Sequence, residues 1–196
     1  YGQGYMCNGK YITEELIRQN QDVDIVWAVR NMGAEVPAPV RKVEVDSPEY
    51  YYEMATSKIW IDNCRKDIYT HKRKNQYYIQ TWHGSGPLKK VEKDIENTLT
   101  LEYIRSAKND GEMIELFLSS SSANSNMYRN SFYSHGDILE CGSPRNDLMF
   151  NSRSVDKDKI RHSLGVENRN ARIVLYAPTF RRTIENSVRA YDLEAK

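Results

Sequence analysis

The sequence has few of the features that mark membrane-embedded, secreted or zinc-binding proteins. Its longest clearly apolar runs, residues 25–29 and 173–177, are far shorter than the roughly 18 residues that a membrane-spanning helix needs. Its three cysteines lie far apart and form no CxxC pair, so neither a zinc site nor a disulfide framework is indicated. We therefore expect a protein of the reducing cytoplasm that spans no membrane.

A large excess of charge of one sign is also missing. The 28 basic and 27 acidic residues leave a formal net charge of +1, which excludes binding to polyanions through overall charge alone. The hydrophobic content of 39% over 196 residues is that of a soluble globular protein and excludes a disordered chain. The length suits one domain of roughly 100–200 residues, or one and a fraction.

Short apolar runs, typical of buried strands, alternate along the chain with segments typical of helices. This alternation predicts an α/β fold with a mainly parallel sheet. A polar stretch at residues 151–156 is the predicted boundary between two strand-bearing units. The predicted strands cover residues 23–29, 40–45, 58–62, 77–82, 114–118, 138–141 and 171–177, and the predicted helices cover residues 8–20, 99–113, 155–164, one that begins at Ser47-Pro48, and one that runs from the serines at 119–122 to about 132.

Ligands of parallel sheets bind at the carboxyl ends of the strands, so the residues that follow each strand are the candidates for a site. His83 and Gly84 follow the fourth predicted strand. A histidine there can act as a general base, or it can be a structural histidine in a tight turn. Ser119 and Ser120 follow the fifth strand and open a helix. Their hydroxyls can help to hold a phosphate, or they can simply cap the helix.

Arginines follow the last two predicted strands. Arg145 lies in the turn Gly142-Ser143-Pro144-Arg145-Asn146-Asp147, where it can bind an oxyanion or, together with Asp147, tie the turn to a neighbouring element. Arg181 and Arg182 follow residues 171–177. Two adjacent arginines suit a diphosphate, although a solvated basic loop has the same composition.

A basic stretch at residues 65–74 is the remaining charged feature. It can lie on an anionic membrane or bind a polyanionic chain, or it can be a solvated face. No glycine-rich phosphate motif of the Walker or Rossmann type, no glycosidase-like carboxylate pair and no metal-ligand cluster appears in the sequence. We expect no obligate protein-bound metal, while assistance by soluble Mg²⁺ stays open.

Seven segments, taken together and in this order, resemble one known family. The resemblance is to the CDP-glycerol glycerophosphotransferase family, which comprises the primases and polymerases of teichoic acid and capsule synthesis. It covers nearly the whole chain, and its specificity rests on WHG followed by GSPRND and YAPTFR. The segments are CNGKYI at 7–12, DIVW at 24–27, KRKNQ at 72–76, QTWHG at 80–84, SSS at 119–121, GSPRND at 142–147 and LYAPTFR at 175–181.

The resemblance implies a GT-B type transferase with two Rossmann-like domains that face each other across a cleft. Residues 1–150 would form the N-terminal, acceptor-side domain. Residues 151–196 would be the linker and first strand of a truncated C-terminal domain that binds the CDP-polyol. The chain would thus be the N-terminal half of the enzyme, and we expect this portion alone to be inactive.

The implied reaction transfers glycerol phosphate from CDP-glycerol to a hydroxyl of poly(glycerol phosphate) or of a lipid-linked acceptor and releases CMP. CDP-glycerol is a substrate, so no cofactor is expected, and nucleic acid is not an expected partner. The family implies a peripheral protein at the cytoplasmic face of the membrane. The alternatives are a CDP-ribitol phosphotransferase, a non-catalytic module that binds an anionic polymer or membrane through residues 65–74, and a sugar-nucleotide glycosyltransferase.

Carried over residue by residue, the resemblance makes His83 the base that deprotonates the acceptor hydroxyl. Arg145 and Asp147 match the turn at the edge of the cleft, and Arg181 matches the arginine expected to face the donor diphosphate. Gly84, Ser119 and Ser120 complete the expected substrate-binding set.

Overall fold

The computed structural model describes residues 4–84, 90–150 and 156–176. The chain divides into two compact units, Tyr1–Ser152 and Arg153–Lys196. Within the described residues, no helix has both the length and the apolar character that crossing a bilayer requires.

The first unit alternates strands and helices, and all of its strand pairs are parallel. Strands β1 and β2 form a two-stranded sheet, and β3, β4, β5 and β6 form a four-stranded sheet in that order. The predicted α/β class with parallel pairing is confirmed, and the strands fall into two sheets. The elements are α1 (Cys7–Arg18), β1 (Val26–Val29), β2 (Arg41–Glu44), α2 (Pro48–Thr56), β3 (Ile59–Asp62), β4 (Tyr77–Gln80), a 3-10 segment (Glu92–Thr98), α3 (Leu101–Met113), β5 (Leu116–Ser119), α4 (Ser122–Ser131), β6 (Asp137–Glu140), a short 3-10 turn (Pro144–Asn146) and α5 (Asp147–Phe150).

The core lies on one face of the four-stranded sheet. Trp60, Tyr78 and Phe117 point to this face from β3, β4 and β5 and are at most 5% exposed. Phe117 stacks on Tyr128 of α4 with 4.6 Å between ring centroids, and Phe132 meets both rings edge to face. Such aromatic pairs stabilise a core beyond the burial of their area, so this cluster fixes the helices that support the carboxyl ends of β4 and β5.

Short polar side chains start the helices as the sequence predicts. The hydroxyl of Ser47 accepts a hydrogen bond of 3.1 Å from the backbone N–H of Tyr50, and Pro48 is the first residue of α2. The hydroxyl of Ser121 accepts from the N–H of Asn124 at the start of α4. These caps satisfy N–H groups that have no partner within the helix.

Two glycines allow the end of α3 to cross the segment before β6 at close range. A Cβ atom on Gly111 would lie 2.0 Å from the carbonyl oxygen of Tyr133, and one on Gly136 would lie 2.5 Å from that of Ile114. Both distances are far below van der Waals contact, so the crossing requires glycine at both positions.

The structure differs from the sequence prediction at both ends of the chain. Residues 23–25 are not in a strand, because the pairing of β1 begins at Val26 opposite Arg41 and Val23 is half exposed. The strand predicted over 171–177 is absent from residues 171–176, and residue 177 lies outside the described residues. Val174 is 88% exposed. A strand needs a pairing partner, and none of the described residues pairs with this segment.

The second unit contains one helix among its described residues. Helix α6 (Lys157–Ser163) begins after Asp156, whose carboxylate accepts from the backbone N–H of Lys159, and it ends before Gly165 at a positive φ of 69°. The helix predicted over 155–164 is therefore confirmed over Lys157–Ser163, and residue 155 lies outside the described residues.

Candidate active site

The carboxyl end of β4 turns sharply and presents a histidine to solvent. Trp82 adopts the left-handed backbone conformation with φ of 50°, which is unfavourable for a residue with a Cβ. Its indole packs inward, edge to face on Phe132 at 4.9 Å. The ring of His83 stacks on the other side of the indole at 4.3 Å with an interplanar angle of 27°, and His83 is exposed.

The hydrogen bond that orients His83 also fixes the position of the proton on its ring. Nδ1 lies 2.7 Å from the carbonyl oxygen of Asn63, which follows β3. Because a carbonyl oxygen can only accept, Nδ1 carries the proton in this contact. The neutral imidazole then has its lone pair on Nε2, as a general base requires.

Arg145 joins the turn after β6 to this histidine. Its Nη1 donates to the carbonyl oxygen of His83 at 3.1 Å and lies 3.3 Å from Sγ of Cys7. Burial alone would raise the pKa of the Cys7 thiol, but hydrogen bonds from Asn63 and Arg145, with the charge of Arg145, bring it below its usual value. The neighbourhood of Arg145 therefore stabilises negative charge, as a phosphate site must.

Asn8, in the first turn of α1, holds the same three elements together. It is 3% exposed. Its Nδ2 donates to the carbonyl oxygens of Thr81 and Trp82 at 3.4 and 3.5 Å, and its Oδ1 accepts from the backbone N–H of Arg145 at 3.2 Å. The start of α1, the end of β4 and the GSPRND turn thus form one assembly around His83.

The serines after β5 lie in a different environment. Ser119 is completely buried, and its hydroxyl donates to the carbonyl oxygen of Ser121 at 2.9 Å and lies 2.8 Å from Oγ of Ser125. Ser120 is half-buried and accepts from Nδ2 of Asn124 at 2.7 Å. Both hydroxyls therefore bond within the fold, and substrate binding by Ser119 and Ser120 stays a prediction.

The other predicted site residues are placed as follows. Gly84 is exposed next to His83, and Asp147 is exposed as the first residue of α5. Arg181 lies outside the described residues. Contact between any of these three and a substrate stays a prediction.

The basic stretch at 65–74 is not a continuous solvated face. Lys66 pairs with Asp62 at 2.6 Å, and Lys72 pairs with Glu115; each lysine side chain is 10% exposed. Arg65 bonds to a buried carboxylate, that of Glu92. Local sequence could not show this, because two of the partners come from elements that are distant along the chain.

Arg65 also packs against Trp82, the residue before His83. Its guanidinium lies over the ring of Trp82 at 5.1 Å and over that of Tyr103 at 4.7 Å. Burial raises the pKa of its partner Glu92 to about 7, although the charge and hydrogen bond of Arg65 oppose this shift. The guanidinium of Arg65 thus packs against aromatic rings, including the one that stacks on His83, through cation–π contacts.

A cavity of about 690 Å³ opens beside this assembly within the first unit. It lies between β1 and β3 and reaches the carboxyl end of β3. Its lining includes Trp27, Trp60, Asn63, Cys64 and His83. The imidazole therefore borders a space large enough for a small polar ligand.

Sequence reasoning gave no role to Asn8, Asn63 or Gln80. Asn8 and Gln80 lie within segments that carry the family resemblance, and each is a polar side chain in a position that the fold buries. Because a buried amide must form hydrogen bonds, an amide side chain at a position that the fold buries was the signal that could have identified Asn8 and Gln80. Asn63 contributes a backbone oxygen, which no side-chain pattern can show.

Comparison with known proteins identifies the family of this chain. A sequence model described as CDP-Glycerol:Poly(glycerophosphate) glycerophosphotransferase matches residues 1–196. The chain belongs to this family. It is 31% identical over 189 residues to the teichoic acid poly(glycerol phosphate) polymerase of Staphylococcus epidermidis, covering 92% of this chain and 26% of that protein. The enzyme of the same name from Bacillus spizizenii is 30% identical, with 92% of this chain and 48% of that protein covered.

The fold is also shared with a solved structure of the family. The wall teichoic acid polymerase TagF, in a variant soaked with CDPG, superposes with a TM-score of 0.83 at 30% identity, covering 92% of this chain and 46% of TagF. The chain thus spans between a quarter and a half of the length of these relatives.

Proposed function

We propose that the protein to which this chain belongs transfers glycerol phosphate from CDP-glycerol to a hydroxyl of poly(glycerol phosphate) or of a lipid-linked acceptor. The observation that carries the proposal is the placement of His83, which is exposed, protonated on Nδ1 by its bond to Asn63, and next to Arg145. The family match over the whole chain supports the choice of donor.

In the proposed reaction, Nε2 of His83 accepts the proton of the acceptor hydroxyl. The hydroxyl oxygen forms a bond to the phosphorus that carries glycerol. The bond between that phosphorus and the bridging oxygen breaks, and CMP leaves with the electron pair. A base near the nucleophile and a cation near the phosphoryl oxygens are what this step requires. Arg145 is the cation that the described residues place beside His83.

We assign supporting roles to the remaining predicted residues. Gly84 leaves room for the backbone to approach the substrate, and Asp147 faces the cleft edge in the GSPRND turn. Arg181 binds the donor diphosphate. Ser120 is the better placed of the two serines, because Ser119 is completely buried.

For the whole protein we propose two GT-B domains and attachment to the cytoplasmic face of the membrane. Residues 1–150 are the acceptor-side domain, and residues 151–196 begin the CDP-polyol-binding domain. The division of the chain after Ser152 supports this boundary. A lipid-linked acceptor and a nucleotide-activated donor meet at the inner membrane surface, which supports the location.

The non-catalytic alternative is weakened by one observation. Of the five arginines and lysines in residues 65–74, three, namely Arg65, Lys66 and Lys72, are in ion pairs with carboxylates of this chain. Charges already paired in this way add little to long-range attraction.

The test is CMP release by the full-length protein incubated with a lipid-linked glycerol phosphate primer. CDP-glycerol, CDP-ribitol and a UDP-sugar are offered as separate donors. We expect turnover with CDP-glycerol, and growth of the primer by glycerol phosphate units seen by mass spectrometry. A preference for CDP-ribitol would show that the transferred polyol is ribitol. Turnover with the UDP-sugar would show that the protein is a glycosyltransferase. Salt-sensitive binding of the primer without turnover would show that it is a non-catalytic binding module.

A further inference from the structure

A completely buried glutamine lies two residues before the exposed histidine. Gln80 ends β4, and its side chain is fully enclosed. Its Nε2 donates to the carbonyl oxygen of Cys64 at 3.0 Å and to the hydroxyl oxygen of Tyr78 at 2.8 Å. Its Oε1 accepts from the backbone N–H of Trp82 at 2.8 Å. Both N–H donors of the carboxamide and one acceptor position of its oxygen are therefore used.

The orientation of this carboxamide is set by a chain of hydrogen bonds that begins at Asp110. Oδ1 of Asp110 accepts from the backbone N–H of Lys66 at 2.9 Å, and burial raises the pKa of this carboxyl to about 6. Burial together with the Asp110 charge holds the pKa of Tyr78 well above its usual value, so the hydroxyl keeps its proton, and its acceptors are Oδ1 of Asp110 at 3.1 Å and the carbonyl oxygen of Cys64 at 3.2 Å. The oxygen of Tyr78 must then accept from Gln80.

A reversed carboxamide would point its NH₂ group at the N–H of Trp82, and two donors would face each other. The carboxamide of Gln80 therefore has one favourable orientation, in which its Oε1 faces the backbone N–H of Trp82. Trp82 is the residue with the unfavourable positive φ, and such a conformation persists only where the surroundings hold it. The backbone N–H of that turn is held by the hydrogen bond that it donates to Oε1 of Gln80.

We propose that Gln80 is a positioning residue for His83, fixing the left-handed turn at Trp82 so that the imidazole meets the carbonyl oxygen of Asn63 through Nδ1 and keeps its lone pair on Nε2. The link from Trp82 to His83 is the peptide bond and the ring stack at 4.3 Å. This inference rests on the proposed role of His83 as the base.

The chain supplies a matched control in Gln76. It is 3% exposed. Its Nε2 donates to the carbonyl oxygens of Met54 and Ser57 at 2.8 and 2.6 Å, and its Oε1 accepts from the N–H of Arg73 at 2.8 Å. Gln76 thus also donates twice and accepts once from a backbone N–H, but with two carbonyl acceptors and no tyrosine, at the opposite end of β4, about 13 Å from Gln80 along the strand.

The experiment compares Gln80→Met and Gln76→Met in the full-length protein. Both remove a buried carboxamide with little change in volume, so we expect similar losses of thermal stability. We expect Gln80→Met to lower kcat about 10-fold to 100-fold with little change in KM for CDP-glycerol, and Gln76→Met to keep kcat close to the wild-type value. Equal kcat values for the two variants would show that Gln80 is only structural.

The second readout is the tautomer of His83, measured by NMR of ring-¹⁵N histidine and assigned with a His83→Gln sample. We expect the wild-type ring to be protonated on Nδ1 and the Gln80→Met ring to be a mixture. An unchanged tautomer overturns the proposal. If His83→Ala retains full activity, the base role fails, while a tautomer shift in Gln80→Met still establishes the positioning.

Should Gln80→Met not fold, Tyr78→Phe decides the question. It keeps the core ring and removes the oxygen that accepts from Gln80. We expect the same change in kcat and tautomer at reduced size, and wild-type behaviour of Tyr78→Phe in both measurements overturns the proposal.

Discussion

Strands β4 and β5 are neighbours in one parallel sheet, so their carboxyl ends lie side by side, yet the two ends present different chemistry. After β4, a turn with an unfavourable backbone conformation at Trp82 carries the imidazole of His83 outward. At the end of β5, Ser119 is buried and its hydroxyl bonds to Ser121 and Ser125 at the start of α4. A position at the end of a strand is thus necessary for a site, but it is not sufficient. A functional group is available to a ligand only where the following helix does not need it for capping or packing.

The largest expected effect separates the two strand ends by activity. In the full-length protein, His83→Ala should lower kcat by about 10²–10⁴-fold, the usual contribution of a general base. Ser120→Ala, the matched variant at the end of β5, should at most raise KM for CDP-glycerol, since its hydroxyl already accepts from Asn124. Steady-state kinetics of CMP release checks both. A larger loss from Ser120→Ala than from His83→Ala would reverse the comparison.

A smaller effect concerns pH and the support behind β4. Because the folded-state pKa of Glu92 is raised to about 7, this group stabilises the fold fully below its unfolded pKa of about 4.5, and the contribution is lost as pH rises through 7. Its size is on the order of 3 kcal/mol, since the pKa rises from about 4.5 to about 7 and each pKa unit corresponds to about 1.4 kcal/mol. Thermal unfolding at pH 5 and pH 8 should show this decline in the wild type and a flatter profile in Glu92→Gln.

Burial also raises the pKa of Asp110, to about 6, so its contribution to stability is likewise lost as pH rises. Asp110 is unchanged in Glu92→Gln. Some decline with pH should therefore survive in Glu92→Gln. An identical pH dependence in the variant and the wild type would mean that Glu92 titrates normally in the folded state.

The smallest expected effect tests the support behind β5. Ser125 is 1% exposed, and its Oγ lies 2.7 Å from Oε2 of Glu140 and 2.8 Å from Oγ of Ser119. Ser125→Ala leaves these buried groups without that partner and should lower the free energy of unfolding by about 1–2 kcal/mol. Ser122→Ala, at an exposed position of the same helix, is the control. Urea unfolding measures both, and kcat should be unaffected. Equal stabilities would show that the serine network does not support the fold.

Those elements that depend on local pattern could be predicted from the sequence. The cap at Ser47 with Pro48 behind it, the helix that follows the serine run, and the apolar runs at β4, β5 and β6 all form where neighbouring residues favour them. His83 at a strand end and Arg145 in the next turn follow from the same logic once the sheet is parallel. The structure brings the guanidinium of Arg145 to the backbone carbonyl oxygen of His83.

What could not be predicted depends on contacts between distant segments. The 3-10 segment Glu92–Thr98 has no clear periodicity, and it forms where Glu92 is buried against Arg65. The same contact removes Arg65 from the solvated face that a charge run usually indicates. Residues 171–176 have the composition of a strand, but pairing decides whether a strand forms, and no described residue supplies it.

The crossing between α3 and the segment before β6 limits how this sequence can change over generations. At Gly111 and Gly136, even a methyl group would overlap a backbone carbonyl oxygen, and backbone cannot rotate away as a side chain can. A lineage that loses either glycine must shift the end of α3 and the start of β6 together. Substitution there needs several coordinated changes at once, so this corner of the domain should diverge far more slowly than the exposed faces around it.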